Sequence, residues 1–226
     1  MTTTTVMSAP DAADVLTVFD AALHRADAGL PVALTLRDEH GTDHRIDAAA
    51  WCRAAVPGDR ALLARCSGPT LDVGCGPGRL TLALNRLGVP ALGIDVSAAA
   101  IRLARARGAT ALRRNVFTHL PGDGRWRHLL LADGNIGIGG DPGLLLRRCR
   151  ELLAAHGRLQ VEVAPPGTGS WAGHVLLRDG DGAPSAPFRW AAVAADDLPR
   201  IADTAELGVL STWTEANRWF ATMIRA

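Results

Sequence analysis

The residues with most capacity for chemistry sit at the ends of short apolar runs. Leu71-Asp72-Val73-Gly74-Cys75-Gly76-Pro77-Gly78-Arg79 sets three glycines at alternate positions between an apolar run and an amphipathic one. Glycine lets the backbone approach a ligand with no Cβ in the way, and a helix opening behind the loop offers unpaired N–H groups. Such a loop is built to touch a ligand. A pyrophosphate loop wants G-x-G-x-x-G, but counting from Gly74 the last position is Arg79, and counting from Gly76 it is Thr81. Asp72 points the same way, because a carboxylate sits badly beside a pyrophosphate and well beside a cation. Further on, Gly93-Ile94-Asp95-Val96-Ser97 sets a second carboxylate at the end of the next apolar run, placed to grip both hydroxyls of a ribose. The expected ligand is a nucleoside.

Composition narrows the chemistry from the other side. All 24 basic residues are arginine and there is no tyrosine. Schiff-base lysine chemistry, a P-loop lysine and a tyrosine general base are thereby excluded. The four cysteines, Cys52, Cys66, Cys75 and Cys149, show no metal-ligand spacing, so no metal site is expected and they read as reduced thiols. A net charge of +1 supplies no field to gather nucleic acid. No apolar run reaches the roughly 20 residues a membrane span needs, and the first residues carry no readable secretory signal. The expectation is a cytoplasmic protein, monomer or homodimer, acting on something small.

The elements that must position these residues are legible in the hydrophobic pattern. From Thr70 onward short apolar strands alternate with amphipathic helices, the pattern of a parallel sheet covered on both faces. This predicts an α/β class, Rossmann-like and doubly wound, mostly parallel with an antiparallel last strand. The predicted helix through 141–157 is followed by the strand Arg158–Val163, and a helix over 196–207 by an antiparallel pair, 209–213 with 219–224. Ahead of the sheet, residues 1–58 read as a cap: a helix from Asp11, its expected cap, to Ala28, a hairpin of 32–36 with 43–46, and short helical turns around Pro57-Gly58. Residues 59–226 form the binding domain, with a hairpin insertion at about 170–194 after the fifth strand. Cap and insertion are expected to close an acceptor pocket over the carboxyl ends of the strands, with Trp171 and Trp190 as an apolar wall.

Asp133 and Asn135 follow the fourth strand in Asp133-Gly134-Asn135-Ile136-Gly137-Ile138-Gly139-Gly140, where such folds line their pockets. Glu162 lies in the otherwise apolar Val161-Glu162-Val163. A buried acid costs several kcal/mol unless paired, so either an arginine meets it or it faces the pocket. His40 and His44 share a polar turn and read as solvated, while His119, His128 and His174 read as surface or satisfied side chains.

D-x-G-x-G-x-G followed by an acidic tip on the next strand resembles the class I S-adenosylmethionine-dependent methyltransferases, over about Asp59 to Ala164. The resemblance implies that Gly74, Gly76 and Gly78 line the methionine part of S-adenosylmethionine with Asp72 near its amino group, and that Asp95 binds the ribose. Where the family commonly has an acidic residue at the adenine amino group, this chain has Asn115, followed by Val116. Asp133 lies in the segment after the fourth strand that the family varies and often uses for catalysis.

The expected activity is therefore methyl transfer from S-adenosylmethionine to a small-molecule acceptor, with Asp133 and Glu162 as candidates for acceptor binding or general base. The alternatives are a protein of this fold that binds S-adenosylmethionine without transferring methyl, as a cyclase or regulator, and a nucleic-acid or protein methyltransferase, which the neutral charge disfavours. A nicotinamide oxidoreductase is disfavoured by Arg79 and by the missing tyrosine and lysine.

Overall fold

Leu129 and Leu131 pack on one side of their strand with Leu145, Leu146 and Cys149, while Leu130 and Ala132 pack on the other with Leu62, Leu80 and Leu84. Successive side chains of a strand point to opposite faces, so this run of apolar residues is the mark of a strand buried on both. The computed structural model describes residues 13–226. Seven strands form the main sheet: β3 (Thr70–Val73), β4 (Ala91–Asp95), β5 (Ala111–Arg113), β6 (Trp126–Leu131), β7 (Leu153–Val163), β10 (Leu207–Glu215) and β11 (Arg218–Arg225). Their order is β10-β11-β7-β6-β3-β4-β5. β3 to β7 run parallel, and β11 is antiparallel to both β7 and β10. This is the doubly wound sheet with an antiparallel last strand that the alternation implied.

The helices are α4 (Arg79–Arg86), α5 (Ala98–Ala106), α6 (Pro142–Leu152) and α7 (Leu198–Asp203). Their starts follow local chemistry. The Ser97 hydroxyl accepts from the N–H of Ala100 at 2.9 Å, and Asp141 accepts from Leu144 at 2.9 Å ahead of Pro142. Two expected boundaries move. The helix from Pro142 ends at Leu152, because residues from Leu153 already pair with β6 through a bulge. The helix expected over 196–207 shortens to α7, since Leu207 and Gly208 open β10 against β11. Ala216 and Asn217, both at positive φ (52° and 62°), make the two-residue turn that the right-handed twist of this hairpin favours.

The cap and the insertion are one unit. α1 (Val15–Asp27) lies beside β1 (Leu34–Asp38), β2 (Asp43–Ile46) and α2 (Ala48–Cys52), with α3 (Asp59–Leu63) following. β1 pairs with β2 and, along its other edge, with β8 (Trp171–Asp179), which pairs with β9 (Phe188–Ala192). The result is a four-stranded sheet, β2-β1-β8-β9, with its own apolar core of Ala22, Leu34, Leu36, Val175 and Leu177. Pieces separated by more than a hundred residues thus complete each other's hydrogen-bond ladders. The expected cap residue Asp11 lies outside the described residues; Asp14 precedes α1 and makes no side-chain cap bond. α1 is tied down over the main sheet by Asp20, which accepts from the Ser97 hydroxyl at 2.5 Å, and by Asp27, which pairs with Arg107.

Candidate functional site

β3 is flanked by β4 and β6 and covered on both faces, so all four of its residues are buried. Asp72 therefore comes to the strand end only 2% exposed, with its Oδ2 accepting from the Thr81 hydroxyl at 2.7 Å. Burial pushes its carboxyl up to about 6, opposed by that hydroxyl. A positively charged ligand group beside it would favour the ionised form. Below about pH 6 the free protein carries a proton there that such binding must release, so affinity for S-adenosylmethionine is expected to fall as pH drops through 6. Calorimetric titrations from about pH 8 to 5 check this, and Asp72→Asn should flatten the profile.

After β3 the chain turns through Gly74 and Gly76 at φ of 72° and 52°, where a side chain would be strained. Asn135 holds this turn: its Nδ2 donates to the carbonyls of Val73 and Gly74, each at 2.9 Å, and a Cβ on Gly74 would stand 2.7 Å from that amide. Gly76 lines the cavity, and beyond its own and the adjacent residues no atom lies within 4 Å of where its Cβ would be. Its N–H donates to Asp95 Oδ2 at 2.9 Å, and the N–H of Ser97 donates to Asp95 Oδ1 at 2.8 Å. Each oxygen of Asp95 keeps a lone pair, enough to accept from two vicinal hydroxyls. Gly78 has a different place from the one the resemblance implied. A Cβ there would meet Ala104 and Ala109 at 2.9 and 3.0 Å, so this glycine allows α4 to pack on α5 and does not line the cavity with Gly74 and Gly76.

Asn115 and Val116, beyond β5, line the same cavity. Asn115 Oδ1 accepts from the N–H of Phe117 at 3.0 Å, a turn that fixes the side chain and leaves one acceptor lone pair and the amide donors for a ligand. Asp133 also lines the cavity, but it is not a free base. Its Oδ2 accepts from Arg79 and its Oδ1 from Arg218 at 3.1 Å. Glu162 is the correction: it takes the paired option, gripped in a fork by Arg218 at 2.8 and 2.7 Å, accepts from the N–H of Asp133 at 2.6 Å, and is not among the cavity residues. Its three bonds hold Arg218 and the backbone of Asp133 in place.

Asp59 completes the cluster by pairing with both Arg79 and Arg218. Three carboxylates share two guanidiniums, which leaves the network one negative charge in excess beside the cavity. A cation is the ligand such a wall favours. Neither Arg79, Asp59 nor Arg218 drew notice in the sequence as a pair partner, because their separation along the chain hides their meeting.

The cavity, about 500 Å³, opens at the carboxyl ends of β3, β4 and β6, where strand order reverses direction. Its polar groups come from the main sheet. Its other wall is aromatic and comes from the cap unit: Phe19, Trp51, Trp171, Phe188 and Trp190. His44, expected to be solvated, also lines it. Of the other histidines, His119 is exposed as expected, whereas His128 is buried and only half satisfied: its Nε2 accepts from the N–H of Ser67 at 3.2 Å and its Nδ1 meets no partner among the described residues. Among the described residues no cluster of histidine, cysteine and carboxylate side chains forms a metal site, and no helix is long and apolar enough to cross a membrane.

Comparison with known proteins places this geometry. Residues 70–157 match the family model described as a methyltransferase domain. Among solved structures, a SAM-dependent methyltransferase from Bacteroides fragilis, in complex with S-adenosyl-L-homocysteine, is 20% identical with a TM-score of 0.76, covering 92% of this chain and 94% of its own. The 1,6-didemethyltoxoflavin-N1-methyltransferase of Burkholderia thailandensis, with bound 1,6-didemethyltoxoflavin and S-adenosylhomocysteine, is 19% identical with a TM-score of 0.59, covering 97% and 93%. The CcbJ methyltransferase of Streptomyces caelestis is 18% identical with a TM-score of 0.57, covering 74% and 94%. A search of curated proteins returned no match. At such identities the structures carry the fold.

Proposed function

We propose that the chain is a class I S-adenosylmethionine-dependent methyltransferase and that it transfers a methyl group from S-adenosylmethionine to a small-molecule acceptor. One observation carries the reading: the glycine turn and Asp95 meet at adjacent strand ends, joined by the Gly76 N–H to Asp95 bond of 2.9 Å, with both Asp95 oxygens still able to accept. Asp95 would hold the ribose hydroxyls, the bare backbone at Gly74 and Gly76 the methionine part, and Asp72 its amino group. Asn115 and Val116 would border the adenine. The excess negative charge around Asp133 suits a sulfonium, whose methyl is the group given up.

Displacement at a methyl carbon asks the protein mainly for alignment and for exclusion of water. The aromatic wall of the cap unit supplies the apolar side of the chamber, and Asp133, held by Arg79 and Arg218, orients its polar edge. One neighbour of the same fold holds bound 1,6-didemethyltoxoflavin beside S-adenosylhomocysteine, which supports a small-molecule acceptor here. Incubation with methyl-labelled S-adenosylmethionine and pools of small metabolites, followed by mass analysis, tests the reading. The expected result is a product heavier by one labelled methyl group. Transfer of label to the protein itself or to added RNA, with none to any small molecule, would overturn it.

A further inference from the structure

The cavity divides by origin. Every aromatic ring that lines it, from Phe19, Trp51, Trp171, Phe188 and Trp190, lies outside the matched residues 70–157, whereas Asp72, Asp95 and Asn115 lie inside them. Six tryptophans and four phenylalanines make up the whole aromatic content, so half of it faces one chamber. The rings form pairs, Phe19 with Trp51 at 5.6 Å and Phe188 edge-on to Trp190 at 6.2 Å. Aromatic faces gain most from a flat aromatic partner, through offset or edge-to-face contact beyond the area buried. A cavity of about 500 Å³ that must also hold the methyl donor leaves room for only a small one.

One polar group belongs to this wall. His44 stacks on Trp171 with ring centroids 5.0 Å apart, and its Nε2 lies 3.0 Å from Asp38 Oδ2. A carboxylate in that position accepts, so Nε2 carries the proton and the Nδ1 lone pair is left facing no partner among the described residues. Asp38 also accepts from the N–H groups of His40 and Thr42, both at 2.9 Å, which fixes it against the ring. The neighbouring charges, Arg37 and Asp43, are spent on each other in a two-bonded pair at 2.7 Å. An imidazole oriented by a carboxylate at the edge of a ligand chamber is the arrangement that takes protons.

Resting on the methyltransferase reading, we propose that the acceptor is a small flat aromatic molecule bearing an ionisable O–H or N–H, stacked against the cap tryptophans, with His44 Nδ1 receiving its proton and Asp38 positioning the ring. The step balances. A lone pair on the acceptor's oxygen or nitrogen forms the bond to the methyl carbon, the carbon–sulfur pair stays on sulfur and cancels its charge, and the acceptor's proton passes to His44 and then to water.

The test uses the full chain saturated with S-adenosylhomocysteine and the probe 4-nitrophenol, whose ionised form is yellow. The expected result is saturable binding with tryptophan quenching, tighter than for cyclohexanol, and a larger yellow fraction bound than free at the same pH. His44→Gln should abolish that colour gain while leaving S-adenosylhomocysteine affinity unchanged. Asp38→Asn should reduce the gain in part, a readout that a merely structural role would leave alone. Trp171→Leu should weaken 4-nitrophenol binding at least tenfold. If 4-nitrophenol binds no better than cyclohexanol, or gains no colour that His44→Gln removes, the proposal is overturned and the methyltransferase reading stands. If S-adenosylhomocysteine itself does not bind, that reading fails and the proposal with it.

Discussion

Arg218→Ala will lower the stability of the protein by about 3–5 kcal/mol, the cost of stranding a buried carboxylate. The guanidinium makes two bonds to Glu162, one to Asp59 at 3.0 Å, one to Asp133 at 3.1 Å and one to the carbonyl of Pro57 at 3.1 Å. It therefore joins β11 to β7, to the start of α3 and to the loop after β6. Asp59 is 3% exposed and would keep Arg79 and the N–H of Val56, while Glu162 would keep only the N–H of Asp133. The melting temperature should fall by roughly 6–20 °C for a chain of this size. Arg218→Lys keeps the charge but not the two-bonded fork, so it should recover part of the loss. Urea denaturation measures both. A loss below about 1 kcal/mol for Arg218→Ala would mean that the network is solvated and does not position Asp133.

Asp95→Ala is the second large effect, expected to weaken S-adenosylmethionine binding by about 1.5–3 kcal/mol, or about ten- to 150-fold. The side chain has two duties, because it also accepts from Gly76 and Ser97 and so ties the glycine turn to β4. Alanine frees both donors, and a modest drop in ligand-free melting temperature will accompany the loss of affinity. Asp95→Asn separates the duties. It retains an acceptor for the turn yet cannot accept from two hydroxyls and two N–H groups together, so it should lose affinity with little loss of stability. Calorimetry and thermal melts on the two variants check this. A fall in melting temperature with unchanged affinity would make Asp95 a structural residue.

What the sequence revealed follows from range. Asp72, Gly74, Gly76 and Asp95 were legible because a parallel strand, a turn and a helix are local patterns, and their carboxyl ends are where ligands bind in such sheets. The cap sheet was not legible as a sheet. Its two hairpins showed in the alternation, but the pairing of Leu34 with Asp179 and Leu36 with Leu177 is a long-range register that no local pattern specifies. Because of that pairing, removing residues 1–47 would take away β1 and expose the edge of β8, so the part the cap plays is tested by point changes such as His44→Gln and not by truncation. Glu162 posed two options in the sequence, and the arginine that decides between them lies 56 residues further on, at position 218 of the neighbouring strand β11. His44 reads as solvated because its turn is polar, whereas its half-buried ring, on the half-buried side of β2, stacks on Trp171 at the cavity.

The central claim is that the glycine turn, Asp72 and Asp95 form a site for S-adenosylmethionine and not for a dinucleotide. Calorimetric titration of the ligand-free protein with S-adenosylhomocysteine and, separately, with NAD tests it most directly. The expected result is one-to-one binding of S-adenosylhomocysteine, weakened in Asp95→Asn, and no measurable heat with NAD. Binding of NAD as tight as or tighter than S-adenosylhomocysteine would contradict the claim.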